Sequence, residues 1–181
     1  MGEGEFKIVF TGPMGAGKTT AIAAISDESP VSTDVVNNDR VAFDKEMTTA
    51  GLDYGHIALA DGAAVRLYGT PGQLRFRFMW DILGHNAAGI ILLLDASQAD
   101  ALVQLDAFVD AFGAGRRSPI VVGVGRTTAA GALALDAFAQ RLENRGLTLP
   151  VFGVDVRRRD DVLLLVDTLL CLLELGDRRT A

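Results

Sequence analysis

Cysteine is nearly absent from this 181-residue chain: Cys171 stands alone, which excludes a disulfide framework. Its surroundings, Leu169-Leu170-Cys171-Leu172-Leu173, predict a small apolar filler of the core, kept in a reducing compartment. Histidine is almost as scarce. His56 and His85 have no cysteine or carboxylate partners at metal-ligand spacing, and read as a strand-face residue and a loop residue. Basic residues are outnumbered, 17 Lys and Arg against 23 Asp and Glu, for a net charge of −6. Neither nucleic acid nor an anionic membrane is therefore expected as the main partner. No run approaches the roughly eighteen apolar residues of a spanning helix. Acids precede the first apolar run, without the layout of a signal peptide. Gly2 follows Met1, but Phe6 stands where a myristoylation signal takes Ser or Thr, and no prenylation box closes the chain. These absences predict a soluble, cytoplasmic protein. Prolines number five and 49% of residues are hydrophobic, so extended disorder is excluded. Without repeats or a linker, residues 1–181 read as one domain.

What the chain does have is a glycine-rich loop in a telling place. Gly12-Pro13-Met14-Gly15-Ala16-Gly17-Lys18-Thr19 matches G-x-x-x-x-G-K-[ST] without a gap and follows the apolar run Phe6-Lys7-Ile8-Val9-Phe10. Glycines let successive backbone N–H groups curl around a di- or triphosphate, and the start of the next helix adds partial positive charge. Lys18 would reach the β- and γ-phosphates, and the Thr19 hydroxyl would bind Mg²⁺. The candidate nucleotide-contacting residues here are Gly12, Met14, Gly15, Ala16, Gly17, Lys18, Thr19 and Thr20. The loop taken alone looks as much like that of shikimate kinase as that of a small GTPase.

The remaining pattern alternates strand and helix. Strands are predicted at 5–11, 51–60, 63–69, 88–94, 119–125 and 150–154. Helices are predicted at 17–26, near 99–112, near 131–144 and at 160–175, the last one stopped by Gly176. Asp61-Gly62 is a two-residue hairpin signal. Residues 27–48 hold Pro30, Asn37, Asn38 and several Asp, and read as a long irregular loop. Near-continuous apolar strands mark a sheet covered on both faces. The fold class is α/β, with a mostly parallel six-stranded sheet and one antiparallel edge strand.

In that element order the chain resembles a Ras-like small GTPase over nearly its whole length. It is most similar to the prokaryotic branch that includes the Mgl-type gliding-motility and the conservon-type GTPases. Three stretches carry the resemblance: the phosphate loop; Thr48-Thr49-Ala50-Gly51-Leu52-Asp53-Tyr54-Gly55, which resembles switch I entering the second strand; and Leu67-Tyr68-Gly69-Thr70-Pro71-Gly72-Gln73, which resembles D-x-x-G-Q at the start of switch II. The resemblance implies a three-layer P-loop NTPase fold, GTP and GDP as ligands, and Mg²⁺ as cofactor. Thr49, with Thr48 as the alternative, would complete the Mg²⁺ shell in the triphosphate state, Gly72 would offer its N–H to the γ-phosphate, and Gln73 would orient the attacking water. It also implies a protein partner at switch II, in this branch often of the Roadblock type.

The chain departs from that family at several points. Gly69 stands where an acid normally opens D-x-x-G and holds Mg²⁺ through water; Asp95 is a candidate substitute. Met14 occupies a position where many small GTPases carry glycine beside the γ-phosphate, which obstructs an arginine inserted in trans. Arg40, Arg75 and Arg77 are the candidates for an arginine in cis. The guanine-reading N-K-x-D is replaced by Gly125-Arg126-Thr127-Thr128, so Thr128 offers one oxygen in place of a bidentate carboxylate, while Arg126 could still lie over the purine. Asp155 and Val156 fall in the family's last base-contacting loop. In Leu74-Arg75-Phe76-Arg77-Phe78-Met79-Trp80, part of the Phe76–Met79–Trp80 stripe is core, and the alternation of aromatics with arginines suggests a partner surface. Arg157-Arg158-Arg159 reads as a solvated or anion-binding corner. Three functions remain open: a GTP-hydrolysing switch, a nucleotide-binding scaffold with little hydrolysis, and a small-molecule kinase. The kinase lacks an arginine-rich lid, since Arg116 and Arg117 lie at a strand entrance.

Overall fold

The structure, a computed structural model, describes residues 5–29, 31–35, 50–58, 63–113, 118–129 and 131–180. Its strands are β1 (Glu5–Thr11), β2 (Val31–Val35), β3 (Ala50–Ala58), β4 (Ala64–Gly69), β5 (Gly89–Asp95), β6 (Ile120–Gly125) and β7 (Val151–Gly153). Its helices are α1 (Lys18–Ile25), α2 (Arg77–Gly84), preceded by a 3₁₀ turn at Leu74–Phe76, α3 (Ala101–Gly113), α4 (Leu135–Glu143) and α5 (Arg159–Thr180).

One sheet runs in the order β2-β3-β4-β1-β5-β6-β7. Strands β4, β1, β5, β6 and β7 are mutually parallel, and β3 is antiparallel to both of its neighbours. All six predicted strands form. The seventh, β2, corrects the expectation of an irregular segment at 27–48 and of an antiparallel edge. Val31–Val35 pairs with β3 from Val31↔Tyr54 to Val35↔Ala50, so the antiparallel strand lies one place in from the edge. A polar edge strand carries little apolar signal, because one side of its ladder faces solvent. Pro30 and residues 36–49, which include Asn37, Asn38, Arg40, Thr48 and Thr49, lie outside the described residues, as do Asp61, Gly62, Arg116 and Arg117.

The strict period of two along β1 and β5 sorts the core into two faces. Ile8, Phe10, Ile91 and Leu93 pack with Ile22 and Ile25 of α1 and Val162, Leu165 and Leu169 of α5. Val9, Ile90, Leu92 and Leu94 pack with Trp80 of α2, Phe108 and Phe112 of α3, and Phe138 of α4. The result is three layers, helix–sheet–helix.

Two helix expectations are corrected. α5 runs through Gly176 to Thr180. A mid-helix glycine is unfavourable by only about 1 kcal/mol against alanine, too little to end a helix anchored by the buried Val162, Leu165, Val166 and Leu169. On that helix Cys171 is exposed rather than a core filler. Two residues past the buried Leu169, it is carried about 200° round the axis, off the core stripe. α4 begins at Leu135 rather than near 131.

Candidate functional site

The site grows from the turn between β1 and α1. Gly12, Gly15 and Gly17 have φ of +137°, +82° and +91°, a sequence of left-handed turns that only glycine adopts without strain. Lys18 folds back over this loop. Its ammonium, on a residue only 8% exposed, donates to Gly12 O at 2.8 Å and Pro13 O at 2.7 Å. Burial pushes the Lys18 pKa down to about 8, and the charge of Asp53 acts in the opposite sense. The first turn of α1 holds no acidic side chain, and its cap, Gly17, has none to offer. The N-terminal amides of α1 and their partial positive charge are therefore left to an incoming anion.

A cleft of about 1040 Å³ opens beside this loop, at the carboxyl ends of the parallel strands, where open α/β sheets bind ligands. It is lined by Met14, Gly15, Ala16, Gly17, Lys18, Thr19, Thr20, Gly72, Gln73, Arg126, Thr128, Asp155 and Val156. Sequence reasoning singled out all of these, from four separate stretches of chain. Gly12 is the exception. It lies behind the wall, where a Cβ would meet Leu93 O at 2.0 Å, and it serves Lys18 through its carbonyl. Thr49, the expected second metal ligand, and its alternative Thr48 lie outside the described residues, as does Arg40.

The loop after β4 closes against the glycine-rich loop backbone to backbone. Thr11 and Thr70 share a buried hydroxyl–hydroxyl hydrogen bond of 2.9 Å, and Thr70 N–H donates to Phe10 O at 2.9 Å. A Cβ on Gly72 would meet Met14 N at 2.4 Å, so glycine permits the approach. Beyond it the Gln73 amide reaches the Met14 sulfur at 3.7 Å, across the mouth of the cleft. Trp80 anchors the same loop from below: its indole N–H donates to Pro71 O at 2.8 Å, and its ring stacks on Phe108 at 4.3 Å. Phe78 and Ile82, on the opposite side of α2, are 62% and 67% exposed, and the Arg75 guanidinium lies over the Phe76 ring at 5.1 Å.

Sequence reasoning missed Asp53. This β3 residue is only 9% exposed and accepts the Thr19 hydroxyl proton at 2.6 Å through Oδ2. It sits directly across the ladder from Gly69, in a register that also places Tyr54 beside Tyr68, with their rings 5.3 Å apart. A Cβ on Gly69 would meet Asp53 Cβ at 2.9 Å and Oδ2 at 3.0 Å. The available signal was an aspartate, a residue depleted in strands, opposite a glycine; reading it required the register.

Asp95, weighed as a substitute metal acid, has other partners. Burial works to raise its pKa, but hydrogen bonds from Ser97 Oγ (2.6 Å), Ser97 N–H (3.0 Å), the Arg126 guanidinium and Gln98 together hold it below the usual carboxylate range. Arg126 thus reaches the cleft with its guanidinium tied to Asp95 and its backbone at φ +54°, an uncommon position for a non-glycine residue. Thr128 is exposed at the rim. Asp155 is bonded by the Arg157 side chain and N–H, which hold its pKa down to about 2. Its own N–H donates to Asp161 at 2.8 Å. Val156 packs over Gly17, where a Cβ would meet Val156 Cγ2 at 2.7 Å. His56 lies on β3 and His85 in the turn after α2, and no group of three or more His, Cys, Asp or Glu side chains suited to a metal occurs among the described residues. No helix among those residues is long and apolar enough to cross a membrane.

Fold and site together define an α/β protein with a mostly parallel sheet and a glycine-rich, lysine-bearing cleft at its carboxyl edge. No family model matches the chain. It is similar to a protein of Methanocaldococcus jannaschii described only as uncharacterized, with 33% identity over 98 residues, covering 54% of this chain and 56% of that protein. The chain therefore spans about half the length of this relative.

Proposed function

We propose that the chain is a small GTP-binding protein of the Ras-like kind that hydrolyses GTP to GDP and works as a two-state switch. The observation that carries this reading is the convergence on one cleft of Lys18 and Thr19 from one loop with Gly72 and Gln73 from another. A buried ammonium whose hydrogen bonds go to two carbonyls of its own loop suits a phosphate chain. Thr19 with Asp53 suits a hard divalent cation that takes oxygen ligands. Mg²⁺, when bound, supplies charge neutralisation at the phosphates.

In this reading Lys18 and the α1 amides hold the phosphates, and Gly72 gives its N–H to the γ-phosphate. Loss of that bond on hydrolysis releases the loop that Trp80 anchors. Gln73 orients the attacking water once its amide leaves Met14. Arg126, Thr128, Asp155 and Val156 form the base end, where Thr128 in place of a carboxylate weakens guanine selection. The exposed Phe78 and Ile82 with Arg75 and Arg77 offer a partner surface, and the family resemblance makes a Roadblock-type regulator the first candidate. A scaffold with little hydrolysis is the second reading, favoured by the Gln73–Met14 contact; the small-molecule kinase has no such support.

Titration with labelled GTP, GDP, ATP and XTP, with and without Mg²⁺, tests the ligand. Single-turnover phosphate release tests the reaction. Unassisted hydrolysis is expected on the order of 10⁻⁴–10⁻² s⁻¹. Gln73→Leu should suppress it while GTP affinity stays within a few-fold, because positioning a water contributes little to ground-state binding. Equal rates in the two proteins would remove Gln73 from the mechanism and favour the scaffold.

A further inference from the structure

We infer that Met14 is a site of reversible oxidation, and that its sulfoxide clamps Gln73 and holds the protein in the triphosphate state. The inference rests on the GTP-hydrolysing reading above and adds a means of regulating it. Met14 stands at the mouth of the cleft and is 75% exposed. Of the chain's four methionines, Met1 and Met47 lie outside the described residues, and Met79 is half-buried on α2. Met14 therefore offers its thioether to a hydroperoxide in the surrounding water more openly than Met79 does. In that reaction the O–O bond breaks and one oxygen bonds to Sδ, while the other leaves as water or an alcohol. Sulfur gives up two electrons and the peroxide is reduced by two.

The consequence of the added oxygen is set by a partner already in place. Gln73 Nε2 donates to Met14 Sδ at 3.7 Å. A thioether is a weak acceptor, so this contact yields readily when the amide is needed at the attacking water. A sulfoxide is polar, and its oxygen accepts strongly. Accepting from the same amide at about 2.9 Å, that oxygen would set nitrogen and sulfur about 3.9 Å apart, close to their present spacing. The clamp thus forms without a shift of either backbone. The sulfoxide is also chiral, and the clamp takes the epimer whose oxygen points toward Gln73. The two loops that carry the pair are already held together. A Cβ on Gly72 would meet Met14 N at 2.4 Å, and Thr70 N–H is bonded to Phe10 O. Phosphate binding is spared, because the Lys18 ammonium, the Thr19 hydroxyl and the α1 amides are groups that the oxidation does not touch. The reduced protein is then the switch, and the oxidised one retains GTP.

The test treats wild type, Met14→Leu and Cys171→Ser with hydrogen peroxide and locates the added oxygen by peptide mass spectrometry. GTP affinity and single-turnover phosphate release are measured before and after, and the Gln73 side-chain amide is followed by heteronuclear NMR. Wild type should gain oxygen at Met14 ahead of Met79. It should then lose about tenfold or more of its hydrolysis rate, keep its GTP affinity within a few-fold, and show a moved Gln73 amide resonance. Methionine sulfoxide reductase with a thiol reductant should restore the rate and the resonance. Cys171→Ser should respond as wild type does, which separates the effect from the exposed thiol on α5. In Met14→Leu, whatever its own rate, peroxide should change neither rate nor resonance. An unchanged rate in wild type oxidised at Met14, or an equal loss in Met14→Leu, would overturn the inference and leave the GTPase reading standing. A reduced protein that binds GTP without hydrolysing it would overturn the switch reading, and this inference with it.

Discussion

Lys18 is the residue at which stability and function pull in opposite directions. Burial holds its pKa at about 8, below the unfolded 10.5. Between these values the unfolded chain binds more protons, so folding stability contributed by this group rises with pH across that window. The displacement corresponds to about 3 kcal/mol at full effect. Lys18→Met should therefore fold at least as stably as wild type near pH 7 and should lack the rise between pH 8 and 10.5. Urea midpoints of the two proteins at pH 7.5 and 10 check this, because the other lysines and tyrosines cancel in the difference. The same variant should bind nucleotide more than about a hundredfold more weakly, having lost the charge on the β- and γ-phosphates. Binding within a few-fold of wild type would mean that the loop does not hold phosphate through Lys18.

At the scale of elements, α2 is the hinge between core and cleft. Trp80 stacks on Phe108 and, at 5.9 Å, on Phe112, and its indole N–H holds Pro71 O. Residues 72–76 follow directly, so the position of Gly72 and Gln73 is tied to the packing of α2 on α3. Trp80→Ala should destabilise by about 3–5 kcal/mol, as large-to-small core changes do. Trp80→Phe keeps most of the stacking and removes the hydrogen bond, leaving Pro71 O to find another partner at about 1–3 kcal/mol. Its more telling effect should be on phosphate release, which should slow more than thermal stability falls. Melting curves and single-turnover assays of the two variants check this. A Trp80→Phe protein with wild-type hydrolysis would show that the anchor serves the core alone.

The whole molecule is a sheet with apolar clusters on both faces and its polar chemistry at one edge. Four segments meet at that edge and share no covalent tie there, so a ligand bridging them stabilises the folded chain as a unit. At a hundred times its dissociation constant a nucleotide adds about 2.7 kcal/mol, or roughly 5–10 °C in Tm for a chain of this size. GDP with Mg²⁺ should raise the Tm by that amount for wild type and leave Lys18→Met unmoved. A nucleotide shift equal in both proteins would place the ligand outside the cleft.

Sequence alone determined the glycine-rich loop and what surrounds it. That motif is local: glycines, a lysine and a hydroxyl lie within eight residues, and strand and helix on either side declare themselves by apolar period. The central parallel strands β5 and β6 were legible for the same reason, apolar runs such as Ile90–Leu94 buried on both faces. The clustering of the Gly72, Arg126 and Asp155 stretches around that loop came from resemblance. Tertiary structure decided the rest. Val31–Val35 became a strand only because β3 offered a partner, and Cys171 faced outward only because the α5 stripe was set by Leu165 and Leu169. Arg126 turned to Asp95, thirty-one residues away. Asp53 faced Thr19, thirty-four residues away in sequence, because the β3–β4 register put it opposite a glycine. Each of these is a choice among non-local partners, made by shape and ladder register, and the one-dimensional pattern carries no measure of which partner will be near.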